Sequence, residues 1–242
     1  MIQKWLFRPF TCLWMTFAVT PVTALDCGSV PTPYEANYSV TRNGDSNGSM
    51  QVLLERYAVG SFVYSMDTYV KWGVFTAHIT EQSEASLRNG VVLPGHFEST
   101  HQVSFYKRRE KVDFDWVSMQ ASGTKKGKDF EMDIRPGMQD KLTVYLQIAR
   151  SICKGQYAID IDVVSGPELK RYDYQLQALE PLDTVLGELR VIHIRRGAPG
   201  DKKQTDLWHA AEAQFLPVKM VYRDGDIITD MRLKDISFRN ED

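Results

Sequence analysis

The chain has 242 residues with a formal net charge of −2 at pH 7, and 43% of its residues are hydrophobic while 25% are charged. A chain of this length can bury a substantial core and suits one domain, since barrels and sandwiches often reach this size. The mildly acidic balance argues against nucleic acid as a partner, because nucleic acids select basic faces.

Residues 1–24 have the pattern of a secretory signal peptide. Two basic residues open the segment, residues 10–19 are a mostly apolar run, and small residues at 22–24 suit cleavage by a signal peptidase. The run is short for a bilayer span, so an uncleaved anchor is the less favoured alternative. We therefore predict a signal peptide at 1–24 and a single β-rich periplasmic domain at 25–242, which is not an integral membrane protein after signal cleavage.

Two cysteines remain once the signal peptide is removed. Cys12 lies within the signal peptide, whereas Cys27 and Cys153 form an even pair in an oxidising compartment. We predict that Cys27 and Cys153 form a disulfide that ties the mature N-terminus to the end of a helix, with two independent thiols as the alternative. A metal site is not expected, because there are only two cysteines and no His-rich cluster, and the five-residue spacing of His96 and His101 is a weak metal signal.

Alternation of apolar and polar residues predicts strands along most of the chain. The first runs through residues 34–41, and the polar, glycine-containing stretch that follows it is a hairpin loop by composition. The alternation lapses at 84–96, which predicts a longer loop with an apolar tip. The charged stretches 107–111 and 125–128 are predicted as tight turns between further strands.

One segment, residues 136–153, is predicted as a helix. Its apolar residues recur at helical spacing and form one stripe, while Asp140 can cap the first turn and Lys154-Gly155 can end the helix. After the helix the alternation resumes, interrupted by a Gly/Pro/Lys loop predicted at 195–206. The stripe consists of Met138, Leu142, Tyr145, Leu146 and Ala149.

The predicted fold is mainly β: a strongly curved antiparallel meander, open or closed like a barrel, with one α-helix packed across it. One helix is too small to cover about a dozen strands, so the sheet must cover much of itself. A barrel lined by bulky aromatic residues can enclose an apolar cavity, and the alternative is that these residues simply pack. The candidate ligand-lining residues are Tyr38, Phe62, Tyr64, Phe105, Phe114, Trp116, Tyr157, Tyr172 and Tyr174.

The sequence shows no recognisable catalytic motif. It contains no HExxH zinc motif, no G-x-S-x-G elbow and no glycine-rich phosphate loop. Asp113 with Asp115, and Asp160 with Asp162, each share one face of a strand, which is typical of the solvent side of a sheet rather than of a glycosidase cleft. We therefore expect no enzyme activity, no cofactor and no metal.

Several short segments together carry a family resemblance. In their order and spacing they resemble the exported bacterial proteins of the DUF3108 family, over nearly the whole mature chain. That family has no established activity, so the resemblance implies no catalytic residue. The segments are 34–38 (YEANY), 140–146 (DKLTVYL), 172–174 (YDY), 186–189 (LGEL), Trp208 and 216–219 (LPVK).

Three functional hypotheses follow. The leading one is a non-catalytic periplasmic binding or carrier protein for an apolar or amphipathic, lipid-like ligand. Its outline is similar to that of the outer-membrane lipoprotein carriers, whose half-barrels hold acyl chains, although fold does not determine function. The alternative is an envelope assembly or scaffold protein that binds an envelope protein through its surface. The third is a hydrolase acting on envelope polymers.

Overall fold

The computed structural model describes Cys27 and residues 31–239, and the predicted signal peptide at 1–24 lies outside this range. Strands dominate the described residues, which confirms the mainly β prediction. The elements are β1 Tyr34–Arg42, β2 Asp45–Ala58, β3 Ser61–Trp72, β4 Phe75–Arg88, β5 Val91–Val103, β6 Tyr106–Asp115, β7 Gln120–Lys125, β8 Lys128–Asp133, α1 Thr143–Cys153, β9 Ile159–Ser165, β10 Glu168–Thr184, β11 Gly187–Arg196, β12 Lys203–His209, a 3₁₀ helix Ala211–Ala213, β13 Pro217–Asp224 and β14 Ile227–Phe238.

The described strands form one antiparallel sheet in which each strand pairs with its neighbours along the chain, apart from β8 and β9. The first and last strands also pair, in a register that runs from Tyr34 opposite Phe238 to Arg42 opposite Thr229. Because β1 and β14 pair, the two edges of the sheet fall at β8 and β9 instead of at the chain ends. The predicted curved meander is therefore confirmed, and the barrel is open between β8 and β9.

The gap between β8 and β9 is bridged by polar contacts. The Gln139 N–H donates to the Asp162 carbonyl at 2.9 Å, and the Val164 N–H donates to the Gln139 carbonyl at 2.9 Å. Nearer the end of β7, the Lys125 Nζ donates to the Ser165 carbonyl at 2.8 Å. These bonds satisfy some of the backbone donors and acceptors that the edge strand β9 would otherwise expose.

Helix α1 begins at Thr143, later than the predicted start at residue 136, because Gln139 is held in the bridge to β9. Asp140 caps the helix as predicted: its Oδ1 accepts hydrogen bonds from the N–H groups of Leu142 and Thr143, both at 2.7 Å. Its other oxygen accepts from the Ser83 hydroxyl at 2.5 Å. Burial raises the pKa of the Asp140 carboxyl although these hydrogen bonds oppose the shift.

Successive turns of the meander alternate between the two ends of the barrel. We call the end with the β1–β2, β3–β4, β5–β6, β7–β8, β9–β10, β11–β12 and β13–β14 turns the mouth end. The opposite end, here the helix end, carries the N-terminus of β1, the C-terminus of β14 and α1. There the Arg150 Nη2 of α1 donates to the Gly90 carbonyl in the β4–β5 turn at 3.4 Å.

The predicted disulfide joins Cys27 to Cys153 at the helix end, with the two Cα atoms 5.7 Å apart. It links positions 126 residues apart in the chain, so it constrains a long loop of the unfolded state. In the chain-entropy model such a closure stabilises the fold by about 4–5 kcal/mol. The bridge anchors the start of the described chain to the last residue of α1.

The prediction of a longer loop at 84–96 is wrong. Strands β4 and β5 run through this stretch and are joined by a tight turn at Asn89-Gly90, where both residues have positive φ. The register between the two strands shifts between Glu84 and Ala85. This irregularity interrupts the alternation of the sequence and explains why the stretch looked like a loop.

The turn predicted at 107–111 is also misplaced. These charged residues lie within β6, and the chain reverses instead at Ser104-Phe105, where Ser104 has a φ of 50°. The predicted turn at 125–128 is present, with Lys126 and Gly127 both at positive φ. High charge alone does not separate an exposed strand from a turn, because the outer face of a strand is also solvated.

Candidate functional site

The barrel contains a cavity of about 1030 Å³. This volume lies at the upper end of the roughly 300–1,000 Å³ that small-molecule sites occupy. Inward-facing residues of the sheet form its wall, and residues at the start of α1 and before β13 form its floor. The apolar lining residues are Val40, Met50, Val52, Met66, Val70, Ala77, Ile79, Val103, Leu142, Leu207, Leu216, Met220 and Met231.

Tyrosines give the cavity neutral polar groups. The Tyr38 hydroxyl donates to the Pro217 carbonyl at 3.0 Å, and burial raises the pKa of this phenol. Burial likewise raises the pKa of Tyr64 to about 12, and it raises the pKa of Tyr145, which α1 contributes to the wall. The three phenols therefore stay uncharged at neutral pH and add no charge to the interior.

Methionines make the apolar wall adaptable. Met50 and Met66 come from neighbouring strands, and Met220 and Met231 from the other neighbouring pair β13 and β14. A methionine side chain is unbranched and polarizable, so it can repack around ligands of different shape. The wall thus suits a flexible apolar chain better than one rigid ligand.

Cations gather where the cavity reaches the mouth end. Five lysine and arginine side chains line the cavity, together with His101 and one acidic side chain, Glu81. A cavity that is apolar at depth and cationic at its opening has the charge distribution that complements an amphipathic anion. The five are Arg42, Lys170, Arg171, Arg196 and Lys203. Three of them form ion pairs: Arg171 with Asp160, Lys170 with Glu168 and Lys203 with Asp224.

The other two cations contact aromatic rings. The Arg42 Cζ lies 4.6 Å from the centre of the Trp72 ring, and the Arg196 Cζ lies 3.7 Å from the centre of the Tyr172 ring. The Arg196 Nη2 also donates to the Thr205 hydroxyl at 3.1 Å. Within the described part of the chain neither arginine forms an ion pair with a carboxylate. Arg196 is half-buried in the cavity wall and therefore available to an anionic ligand group.

The structure places the nine predicted lining residues in three environments: on the cavity, in the packed core and on the surface. Three of the nine line the cavity, namely Tyr38, Tyr64 and Tyr172. Five others lie in or against the packed core and not on the cavity: Phe62, Phe114, Trp116, Tyr157 and Tyr174.

Phe105 lies away from the cavity, contrary to the expectation. Its side chain is fully exposed in the β5–β6 turn, at 105% relative accessibility. Ser104 has a positive φ and β5 ends before it, at Val103. Phe105 therefore lies in the turn and not on the inward face of a strand.

The sequence interpretation does not identify six of the residues that line the cavity: Arg196, Tyr145, Met50, Met66, Met220 and Met231. Arg196 fell within the loop predicted at 195–206, whereas β11 continues to Arg196 and β12 begins at Lys203. The alternation of Ile192, Ile194 and Arg196 was the available signal. It was overlooked because a charged residue at the end of a strand resembles the start of a loop.

The first predicted carboxylate pair has structural partners. The Asp113 Oδ1 lies 2.6 Å from the His96 Nδ1 across the β5–β6 ladder. The Asp115 Oδ1 accepts hydrogen bonds from the N–H groups of Val117 at 2.8 Å and Ser118 at 3.2 Å, and so stabilises the β6–β7 turn.

The second carboxylate pair is likewise engaged. Asp160 forms an ion pair with Arg171, and Asp162 forms one with Arg135. All four carboxylates therefore have partners that account for their positions. The expectation that the chain is not an enzyme stays a prediction.

A third polar cluster joins strands β11 and β12. The His193 Nε2 lies 2.7 Å from the Asp206 Oδ1, which also accepts from the Arg195 Nε at 2.7 Å. The His193 ring stacks on the Trp208 ring with the centroids 4.2 Å apart. Burial raises the pKa of Asp206, but the hydrogen bonds from His193 and Arg195 outweigh burial and lower it overall. The His193 Nδ1 lies 3.6 Å from the Glu180 Oε1, so both ring nitrogens face carboxylates.

Among Cys27 and residues 31–239, no group of three or more His, Cys, Asp or Glu side chains is arranged to hold a metal ion. In the same part of the chain, no helix has the length and apolar character needed to cross a membrane.

A family model described as "Protein of unknown function (DUF3108)" matches residues 33–231. No curated protein matches the chain. The chain is similar in structure to a beta-barrel-like protein of the domain of unknown function DUF1849 from Brucella abortus, with a TM-score of 0.59 and 10% sequence identity. The similarity covers 87% of this chain and 99% of that one, and at this identity it shows the shared barrel-like fold.

Proposed function

This chain belongs to the DUF3108 family, and we propose that it is an exported, non-catalytic binding protein that carries an amphipathic, lipid-like ligand. The observation that carries the proposal is the cavity of about 1030 Å³, which is apolar at depth and bordered by cations at its mouth. The ligand's apolar chain would lie against the methionines and aliphatic residues, and its polar head would lie near Arg196.

The energetics favour such a ligand. Transfer of an apolar chain from water contributes about 0.8 kcal/mol per CH₂ group, so a chain of about ten carbons contributes roughly 8 kcal/mol. Association and ordering costs reduce this gain, and the remainder supports useful affinity without any covalent chemistry.

Export is the second part of the proposal. The signal-like pattern at residues 1–24 and the Cys27–Cys153 disulfide support an oxidising compartment outside the cytoplasm, which in bacteria is the periplasm. A fusion of the full-length chain to a reporter that is active only after export should be active, and deletion of residues 1–24 should abolish its activity.

The cavity favours a carrier over the competing envelope scaffold, because a scaffold that acts through its surface needs no hollow interior. The test is native mass spectrometry of the mature protein purified from its own envelope, together with titration by 1-anilinonaphthalene-8-sulfonate, an amphipathic dye. We expect a retained ligand mass that mild organic extraction removes, and saturable dye fluorescence that laurate displaces. Absence of both a retained mass and displaceable dye would contradict the proposal.

A further inference from the structure

Two neighbouring turns at the mouth end expose large apolar side chains. Val74, in the β3–β4 turn, is 90% exposed, and Phe105, in the β5–β6 turn, is 105% exposed. The two turns are adjacent, because the Ser104 N–H donates to the Thr76 carbonyl at 2.9 Å. The exposed Phe75 extends this apolar surface. Phe75 stacks on the Trp72 ring. Neither turn requires a large apolar residue at its tip, so Val74 and Phe105 have no evident role within the fold.

The surface next to these tips is strongly basic. We define the docking arc as the four turns with their flanking residues, 71–76, 103–108, 125–129 and 165–171. It contains eight basic residues and two acidic ones, although the chain as a whole is acidic. Within the described part of the chain, five of the eight form no ion pair with a carboxylate: Lys71, Lys107, Arg108, Lys126 and Lys128.

The docking arc is continuous around the mouth. The Lys126 N–H donates to the Arg109 carbonyl at 3.0 Å, which joins the β7–β8 turn to β6. Across the open seam of the barrel, the Lys125 Nζ donates to both the Ser165 carbonyl and its hydroxyl. Gly166 lies so close to Lys125 that a side chain at position 166 would collide with it. The four turns therefore form one surface.

This surface borders the opening of the cavity. Trp72, Val103, Lys170 and Arg171 belong to the docking arc and also line the cavity. A flat apolar and anionic partner placed against the arc would cover the cavity opening. Such a partner would let an amphipathic ligand pass between the two without crossing bulk water.

We propose that the docking arc binds the surface of a lipid bilayer that contains anionic lipids, with Val74 and Phe105 inserted among the lipids and the lysines against the headgroups. Apolar tips combined with unneutralised cations are the pattern that binds anionic membrane interfaces. A second copy of the chain fits this surface poorly, because two docking arcs would bring like charges together. Docking allows the cavity to exchange its amphipathic ligand with the bilayer, so this inference rests on the proposed function.

The first experiment measures co-sedimentation of the mature protein with vesicles made of equal parts phosphatidylcholine and phosphatidylglycerol. We expect the V74S/F105S double variant to bind at least about tenfold more weakly, since burial of one large apolar side chain is worth that much. The matched control is V59S/V117S. Val59 and Val117 are equally exposed, at 106% and 97%, but lie in turns at the helix end. The control should bind the vesicles as the unaltered protein does.

The second experiment tests the charge. Replacing Lys126 and Lys128 by glutamate should weaken binding to the mixed vesicles by more than about tenfold, because each basic residue near an anionic surface contributes about a fivefold factor. Binding of the unaltered protein to vesicles of phosphatidylcholine alone, or to the mixed vesicles at high salt, should be weak.

The inference is overturned if the unaltered protein does not bind the mixed vesicles, or if V74S/F105S and V59S/V117S bind them equally well. It is also overturned if sedimentation equilibrium without lipid shows a dimer that V74S/F105S disrupts, since the arc would then bind a second copy. Dye titration separates these results from the proposed function. V74S/F105S should bind dye normally. If the unaltered protein binds dye but not vesicles, only the docking surface is contradicted. If the unaltered protein does not bind dye, the proposed carrier function is contradicted.

Discussion

The Arg196 guanidinium lies 3.7 Å from the centre of the Tyr172 ring, at the point where the apolar cavity reaches its mouth. Arg196 also stands opposite Tyr174 in the β10–β11 ladder and opposite Thr205 in the β11–β12 ladder. The barrel thus holds a cation against aromatic and hydroxyl groups rather than against a carboxylate. A ligand can supply the missing anion.

Arg196→Gln should weaken binding of an anionic amphiphile such as laurate by about ten- to a hundredfold, because a hydrogen bond to a charged group is worth about 1.5–3 kcal/mol. Binding of the neutral glycerol ester of the same acid should change by less than about threefold, since burial of its alkyl chain is unaffected. Isothermal titration calorimetry measures both affinities.

The matched control for Arg196 is Arg232→Gln. Arg232 is exposed on β14, forms its ion pair with Asp230 and does not line the cavity. It should bind both ligands as the unaltered protein does. Equal loss of laurate and ester binding by Arg196→Gln would show that the residue acts through packing, not through charge.

Val70→Trp should fill part of the cavity from β3 and lower the affinity for the dye and for laurate by at least about tenfold, because the added ring occupies the space of several methylene groups. Val59→Trp adds the same ring at an exposed turn and serves as the control. Fluorescence titration measures the affinities, and circular dichroism checks that both variants are folded. Unchanged affinity in Val70→Trp would place the ligand elsewhere.

Loss of the disulfide should lower the free energy of unfolding by about 4 kcal/mol in the chain-entropy model. The measurement is urea unfolding of the Cys27→Ser/Cys153→Ser double variant beside the unaltered protein, each with and without dithiothreitol. The reductant should destabilise the unaltered protein by a similar amount and leave the variant unchanged. A variant as stable as the oxidised protein would show that the unfolded chain gains little freedom when the bridge is removed.

His209 should make stability depend on pH. Its Nδ1 lies 2.6 Å from the Phe215 carbonyl, and its Nε2 is buried without a hydrogen-bond partner within the described residues. Burial lowers the pKa of this histidine to about 4, from an ordinary value of 6.5. Between these two values the unfolded chain binds one more proton than the folded chain, so stability present above pH 6.5 is lost as the pH falls towards 4.

We expect His209 to account for about 3 kcal/mol of lost stability between pH 7 and pH 4. Urea unfolding at both pH values measures this loss. His209→Gln keeps a donor for the Phe215 carbonyl and should show a smaller loss by about that amount. The matched control is His78→Gln, on the exposed surface beside Asp67, which should lose more stability than His209→Gln. An identical pH dependence for His209→Gln and the unaltered protein would exclude His209 as the cause.

Much of the fold could be predicted because strands, helix and disulfide each leave a local or countable signal. Alternation in β1 and β3 predicts which side chains face inward, and the stripe on α1 predicts the helix. Register shifts leave no such signal. The irregularity at Glu84/Ala85 made part of two strands resemble a loop, and the turn at Ser104 lies earlier than the predicted turn and places Phe105 outside the strand.

By itself the sequence determined the strand-rich class, the inward faces of strands such as β1 and β3 and membership of the family, and it favoured the pairing of Cys27 with Cys153. Only the tertiary structure decided which inward side chains pack and which surround the cavity. Phe62 and Tyr64 share one face of β3, yet Phe62 lies in the core nearest the helix end while Tyr64 lines the cavity. Alternation specifies the face of a strand, whereas the depth to which α1 fills the barrel sets where packing ends and the cavity begins.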